Sequence, residues 1–217
     1  MQLTLREPGS AITHFIAMCF SMGAGIPLLM KASSFGTLCL TAMIIFILSM
    51  ILLYGASATY HSINLSDSVI RIFRKIDHSM IFVLIAGSYT PVCMIVLGGS
   101  TGYKLLALVW SIALLGITVK ILWITCPKWF SSVIYIAMGW ICVFYLSAIY
   151  DSIPFAAFMW LLTGGIIYTV GGVIYALKLP LFNRKHACFG SHEIFHLFVM
   201  GGSFCHFIFM YQYVLAL

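Results

Sequence analysis

Histidines placed one helical turn apart carry the chemistry that this sequence suggests. His192 and His196 are four residues apart, so on a helix both imidazoles lie on one face, at the spacing that a single metal ion can bridge. Ser57 and His61 have the same spacing. Three neutral imidazoles with one open position form the usual catalytic zinc site, where a bound water has a pKa of about 7. A carboxylate such as Asp77 is the natural partner that orients such a water and carries its proton.

The chain that must position these residues has the composition of an integral membrane protein. Of its 217 residues, 63% are hydrophobic and only 7% are charged, with a mean hydropathy of +1.11, whereas a soluble domain is about 25% charged. Spanning a bilayer takes roughly 20 apolar residues. The length therefore allows seven spans with short loops, and we predict an all-α membrane protein with one seven-helix domain over residues 1–217.

Clusters of Pro, Gly, Lys and Arg divide the sequence into seven candidate helices. They cover about 11–30, 37–61, 76–97, 104–124, 131–149, 154–176 and 191–215. Gly164 with Gly165, and Gly171 with Gly172, lie on the sixth of these helices. Small residues let neighbouring membrane helices approach closely, so we interpret these glycines as packing positions.

The basic residues predict how the helices are oriented. With seven spans, the N-terminus and the loops after helices 2, 4 and 6 share one side, while the other side holds only Lys31 and Lys104. The positive-inside rule then predicts a cytoplasmic N-terminus and a C-terminus outside. The net charge of +6 does not indicate nucleic-acid binding, because the basic residues are not gathered on one solvated face. The basic residues on the predicted cytoplasmic side are Arg6, Arg71, Arg74, Lys75, Lys120, Lys128, Lys178, Arg184 and Lys185.

This topology brings the ionisable residues of distant segments to one leaflet. His61 ends helix 2, Asp77 begins helix 3, and His192 and His196 begin helix 7, all at the cytoplasmic face; His14 lies near the start of helix 1. A single histidine at a helix end is more often an interfacial residue that binds water. Ionisable groups at membrane depth are costly, however, and their convergence indicates a functional site. We predict His61, His192 and His196 as metal ligands.

Other polar residues are expected to have ordinary roles. His206 lies ten residues beyond His196, roughly 15 Å along a helix, so it cannot share that metal ion and is expected to pack or hydrogen-bond. His78 points about 100° around the helix from Asp77, and neither it nor His186, in a loop, is a favoured ligand. The remaining carboxylates Asp67 and Asp151 are expected to be solvated loop residues.

The segment His192–Glu193–Ile194–Phe195–His196 also spells HExxH, in which the Glu of zinc proteases is the general base. A metzincin continues with a glycine and a third histidine, but Val199 and Gly202 stand at those positions. No Asp or Glu follows Glu193 to serve as a downstream acidic ligand. The protease interpretation is therefore disfavoured, and Glu193 is expected to be a loop-edge residue or a first-turn charge favoured by the helix dipole.

Four segments resemble those of the hemolysin III family, the bacterial branch of the progestin and adipoQ receptor superfamily. The resemblance covers essentially the whole chain, and it implies a protein similar to the adiponectin receptors and more distantly to the alkaline ceramidases. The segments are residues 7–14 (EPGSAITH), 57–61 (SATYH), 75–91 (KIDHSMIFVLIAGSYTP) and 191–206 (SHEIFHLFVMGGSFCH).

The resemblance implies a multi-pass protein of the bacterial plasma membrane with a buried Zn²⁺. Carried over by motif, the zinc ligands are His61, His192 and His196, Asp77 holds or deprotonates the zinc-bound water, and Ser57 lies one turn before the first ligand. Glu7 and His14 fit the family's amino-terminal pattern, but the sequence assigns no physical role to either.

Our preferred hypothesis is a zinc-dependent lipid amide hydrolase of the ceramidase type, acting on membrane lipids at the inner leaflet and contributing to membrane lipid homeostasis. Asp77 and Ser57 are its candidate catalytic residues, while the substrate class rests on the resemblance. One alternative is a non-enzymatic homeostasis or sensor protein, in which a structural zinc joins helices 2 and 7 and Asp77 completes the ligand set. The other is a pore-forming hemolysin, which needs a polar lining or an amphipathic face that seven apolar spans do not offer. The sequence leaves the oligomeric state open.

Overall fold

Seven long helices make up the part of the chain that the structure, a computed structural model, describes: residues 5–177 and 190–217. Each is long and apolar enough to cross a membrane, as predicted. Lys178, Arg184, Lys185 and His186 lie outside the described residues. The helices are α1 (Pro8–Ser33), α2 (Thr37–Ser62), α3 (Asp67–Leu97), α4 (Gly99–Leu122), α5 (Lys128–Ser152), α6 (Phe155–Leu177) and α7 (Ser191–Ala216).

Helix α3 begins nine residues before the predicted start, at Asp67 instead of Ile76. The prediction was wrong because a hydropathy pattern ends where charges appear, whereas a helix can continue beyond the hydrocarbon layer. Asp67 occupies the first turn of α3, where a negative charge is favoured by the helix dipole. Asp151 likewise lies in the last turn of α5, where it accepts a hydrogen bond from Ser147 Oγ at 3.4 Å. Neither carboxylate is in a loop, contrary to the expectation.

The helices form a ring around the interior of the bundle, in the order in which they follow one another along the chain. Helix α1 packs against α2, α2 against α3, α3 against α4, α5 against α6 and α6 against α7, while α7 contacts α1 and closes the ring. Helix α5 contacts both α3 and α4. This order places the end of α2 and the beginnings of α1, α3 and α7 at the same end of the bundle, which the charge asymmetry predicts to be cytoplasmic.

Glycines of α6 allow α7 to approach closely. A Cβ atom at Gly164 would overlap the imidazole of His206, and one at Gly171 would overlap Phe198. The packing role predicted for the α6 glycines is confirmed at these two positions. Gly165 has no neighbouring atom within 4 Å and takes no part in it.

The turn between α3 and α4 depends on glycine. The last turns of α3, Val92–Leu97, are π-helical after Pro91. Gly98 and Gly99 then adopt φ values of 56° and 50°, a left-handed conformation that glycine adopts without the steric cost a Cβ atom brings. The chain thereby reverses direction within two residues and begins α4.

A buried polar network joins three helices in the middle of the bundle. The Tyr54 hydroxyl donates to Ser203 Oγ at 2.6 Å, and the Tyr168 hydroxyl lies 2.8 Å from the same oxygen. Interhelical hydrogen bonds of this kind contribute to helix association where the hydrophobic effect is weak. Apolar side chains such as Phe20, Leu122 and Phe144 instead face outward and are more than 70% exposed, which suits contact with lipid chains.

Candidate metal centre

Three histidine side chains converge at one end of the bundle. His61 comes from the last turn of α2, and His192 and His196 come from the first turns of α7. One ring nitrogen from each lies within 4.8 Å of the others. His61 and His196 are 1% and 2% exposed, and His192 is partly buried. The structure thus brings together the three residues predicted as ligands.

The spacing of these nitrogens suits a tetrahedral zinc ion. The Nε2 atoms of His61 and His192 are 3.2 Å apart. Zinc binds histidine nitrogen at about 2.0–2.1 Å, so two nitrogens in a tetrahedral site are about 3.3 Å apart. The His61–His192 pair therefore has the spacing of two zinc ligands, the third nitrogen lies within 4.8 Å of both, and three imidazoles are a donor set that zinc accepts.

Two of the three histidines are held through their Nδ1 atoms by residues at the start of α1. His61 Nδ1 donates to Glu7 Oε2 at 2.5 Å, and His196 Nδ1 lies 3.4 Å from Thr13 Oγ1. The hydrogen bond with His61 is the main reason that the pKa of the Glu7 carboxyl lies below its usual value. Sequence reasoning assigned no role to Glu7 and did not single out Thr13. Both residues lie in the family-like segment 7–14, which was the signal that could have pointed to them.

His14 stacks on the cluster from the side of α1. Its ring lies 3.6 Å from that of His196, with the two planes at 7°, and it packs edge-on against Tyr54. The residue is 3% exposed, and neither ring nitrogen has a hydrogen-bond partner among the described residues. His14 is therefore next to the candidate ligands, as its position near the start of α1 indicated.

Asp77 and Ser57 lie beside the histidines but not within the three-nitrogen cluster. Both side chains are buried and line the same cavity as His192 and His196. Asp77 Oδ2 is 3.3 Å from Nδ1 of His78, a contact that the sequence analysis did not foresee. A buried carboxylate that lines the cavity beside the histidine cluster is placed to exchange a proton with a group bound there.

Glu193 is engaged elsewhere. Its Oε1 accepts a hydrogen bond from Ser10 Oγ at 2.6 Å, and its Oε2 accepts one from the backbone N–H of Gly190 at 2.8 Å. The carboxylate thus covers the amino-terminal end of α7 and links α7 to α1. This arrangement matches the expected first-turn charge and contrasts with the role of the Glu in HExxH proteases.

His206 lies outside the cluster, deep in the bundle. Its Nε2 donates to the carbonyl of Leu161 at 3.3 Å, and its ring packs edge-on against Tyr168. It joins α7 to α6, as the distance argument predicted.

A long cavity extends from the histidine cluster into the bundle. Residues of six of the seven helices line it, α4 being the exception. On α3 the lining runs from Asp77 to Val92, which corresponds to about 22 Å of helix. Polar groups gather at the histidine end, whereas the remaining lining is mainly apolar, including Leu53, Ile81, Leu84, Ile85, Leu161, Leu162 and Val199.

The fold and the site define a class: a seven-helix membrane protein with a buried three-histidine cluster at one end of a long, largely apolar cavity. The sequence matches the family described as Haemolysin-III related over residues 3–207. The chain belongs to this hemolysin III family, and the resemblance seen in the sequence is confirmed.

Individual relatives agree with this assignment. The chain is 38% identical over 216 residues to Hemolysin-3 of Bacillus cereus, covering 99% of this chain and 94% of that protein. It is 39% identical over 198 residues to the Hemolysin-3 homolog of Bacillus subtilis (strain 168), covering 91% and 89%. The Adiponectin receptor protein of Drosophila melanogaster is 28% identical over 183 residues, covering 75% of this chain and 40% of that protein. The chain is thus a multi-pass bacterial cell membrane protein related to the adiponectin receptors.

Proposed function

We propose that this protein is a zinc-dependent hydrolase of amide-linked membrane lipids, acting at the inner leaflet and contributing to membrane lipid homeostasis. One observation carries the proposal: three convergent imidazoles lie beside a buried carboxylate at the polar end of a long apolar cavity. Such a cavity suits a hydrocarbon chain whose polar linkage lies at the histidines. The choice of an amide linkage rests on the likeness to the alkaline ceramidases.

Each residue of the site has a defined task in this proposal. His61, His192 and His196 would hold the zinc ion, which would supply Lewis acidity for an acyl carbonyl and for water. Asp77 accepts a proton from the water that attacks the acyl carbonyl and passes it to the amine as the C–N bond breaks, so that the products are a carboxylic acid and an amine. Ser57, also facing the cavity, donates a hydrogen bond to the oxygen on which negative charge develops.

The cavity contributes binding and the exclusion of water. Apolar side chains of α2, α3, α6 and α7 surround the acyl chain and fix its carbonyl end against the histidines, which lowers the entropic cost of reaching the reactive geometry. Exclusion of bulk water strengthens every electrostatic interaction at the polar end. His14, with two unpartnered buried nitrogens, adds a hydrogen-bonding group there.

Metal content per chain is the experiment that tests the proposal. Wild type purified without chelator is expected to contain about one zinc ion per chain, the stoichiometry of a single site. His61→Ala and His192→Ala should lose it, while Asp77→Asn should retain it. His206→Ala is the matched control, since it removes a buried histidine of α7 outside the cluster. A wild type without stoichiometric metal would refute the proposal.

Turnover separates a catalytic zinc from a structural one. Asp77→Asn should retain zinc and lose hydrolysis of a fluorescent N-acyl lipid supplied in vesicles. Loss of zinc from Asp77→Asn would instead support the alternative in which Asp77 completes the ligand set of a structural site. Hydrolysis that continues in the zinc-free His192→Ala variant would refute the mechanism.

A further inference from the structure

Glu7, directly before α1, and Thr13, in its second turn, contact two of the three candidate ligands. Glu7 contacts His61 at two points: its backbone N–H donates to the His61 carbonyl at 3.0 Å, and its Oε2 accepts from His61 Nδ1 at 2.5 Å. The two residues are 54 positions apart in the chain. The start of α1 is therefore attached directly to the end of α2.

The Glu7 carboxylate is itself held in place. Its second oxygen, Oε1, is 3.4 Å from Nε of Arg6. The Arg6 guanidinium lies over the ring of Tyr60, 4.2 Å from its centroid. Glu7 thus bridges a fixed cation on one side and the imidazole of His61 on the other, although its side chain is 44% exposed.

Thr13 makes the corresponding contact with His196. Its hydroxyl donates to the carbonyl of Gly9 at 2.9 Å, so its lone pairs face His196 Nδ1 at 3.4 Å as acceptors. This contact is longer and weaker than that of Glu7, because a neutral hydroxyl replaces a carboxylate.

Both contacts favour the tautomer in which Nδ1 carries the proton. An acceptor at Nδ1 holds the hydrogen there and leaves the lone pair on Nε2, the atom of His61 that faces His192 Nε2 at 3.2 Å. Zinc-binding histidines usually donate their second nitrogen to a carboxylate or carbonyl, and loss of that partner lowers metal affinity about 10–100-fold.

We infer that Glu7 and Thr13 are positioning residues for the metal centre, which orient His61 and His196 and hold them in the metal-binding tautomer. The inference rests on the proposed function, because it requires that the three histidines bind zinc. It gives the amino-terminal segment of α1 a task at the metal site, although this segment supplies none of the three ligands.

Zinc affinity of the full-length protein in detergent, measured by competition with a chromophoric chelator, tests the inference. Glu7→Ala should lower affinity about 10–100-fold. Glu7→Gln should lose less, because the amide oxygen still accepts from Nδ1. Thr13→Val should have the smallest effect, in line with its longer contact. Asp151→Ala and Thr118→Val are matched controls at exposed positions without contact to the cluster, and their affinity should be unchanged.

A second readout separates orientation of the ligands from general stability. The visible spectrum of the cobalt-loaded protein reports ligand geometry, and Glu7→Ala should shift it while Asp151→Ala does not. Unfolding of the metal-free variants shows whether Glu7→Ala still folds. If it does not, the zinc affinity and the cobalt spectrum of Thr13→Val test the inference instead.

The outcomes distinguish this inference from the proposed function. A wild type that binds zinc, with Glu7→Ala and Thr13→Val of unchanged affinity and spectrum, would overturn the inference and leave the function standing. A wild type without zinc would overturn both.

Discussion

The hydrogen bond between Ser10 and Glu193 should stabilise the contact of α1 with α7. The Ser10 hydroxyl is fully buried and donates to Glu193 Oε1 at 2.6 Å. The other carboxylate oxygen accepts from the Gly190 backbone. Glu193→Ala removes both acceptors at once and leaves the buried Ser10 hydroxyl without a partner.

The expected cost follows from these contacts. A hydrogen bond to a charged group contributes about 1.5–3 kcal/mol, and a negative charge in the first turn adds about 0.3–1 kcal/mol. Glu193 is only partly buried, so the lower end of each range applies. Glu193→Ala should therefore destabilise the protein by about 3 kcal/mol because two hydrogen bonds are lost, and Ser10→Ala by about 1–2 kcal/mol because the Gly190 contact survives.

A double-mutant cycle measures the interaction itself. Unfolding of wild type, both single variants and the double variant in mixed detergent micelles should give a coupling free energy of about 1–2 kcal/mol. Glu193→Gln should retain zinc, because the carboxylate belongs to the helix contact. A coupling free energy near zero would refute the assigned contact. Loss of turnover by about 10²–10⁴-fold in Glu193→Gln, with unchanged stability, would show that Glu193 acts as a general base.

Three further predictions concern the interior of the helix bundle and the metal. Ser203→Ala should lower the free energy of unfolding by about 2–4 kcal/mol, because it leaves the buried hydroxyls of Tyr54 and Tyr168 without a partner. Tyr54→Phe should lower it by only about 1 kcal/mol. Equal unfolding free energies for the two variants would contradict the network. His206→Ala should unfold more easily yet bind zinc with wild-type affinity, and weakened binding would mean that this residue belongs to the site. Free zinc at about 100-fold above its dissociation constant should stabilise wild type by about 2.7 kcal/mol. Chelator should abolish this stabilisation, and His192→Ala should not show it. An equal stabilisation of that variant would mean that the metal binds elsewhere.

Much of the architecture could be predicted from the sequence because membrane insertion is governed by local composition. Each span is set by its own run of apolar residues, and the parity of the spans then places His61, Asp77 and His192 at one end of the bundle without any knowledge of packing. The spacing of His192 and His196 fixes their common face through the helical period alone. The same local logic failed at the start of α3, because the charged turn that begins at Asp67 is helical outside the apolar layer.

The contacts around the histidines depended on the tertiary structure. The rotation of each helix about its axis determines which atoms come into contact. It places Glu7 and Thr13 against Nδ1 atoms of two histidines and Glu193 against Ser10. It also places Asp77 beside the three-nitrogen cluster but not within it. These pairs are separated by up to 183 residues in the chain, and their geometry follows from how seven apolar surfaces pack against one another. A sequence pattern specifies which face of a helix carries a residue. The packing of side chains between helices determines which atoms of the neighbouring helices that residue contacts.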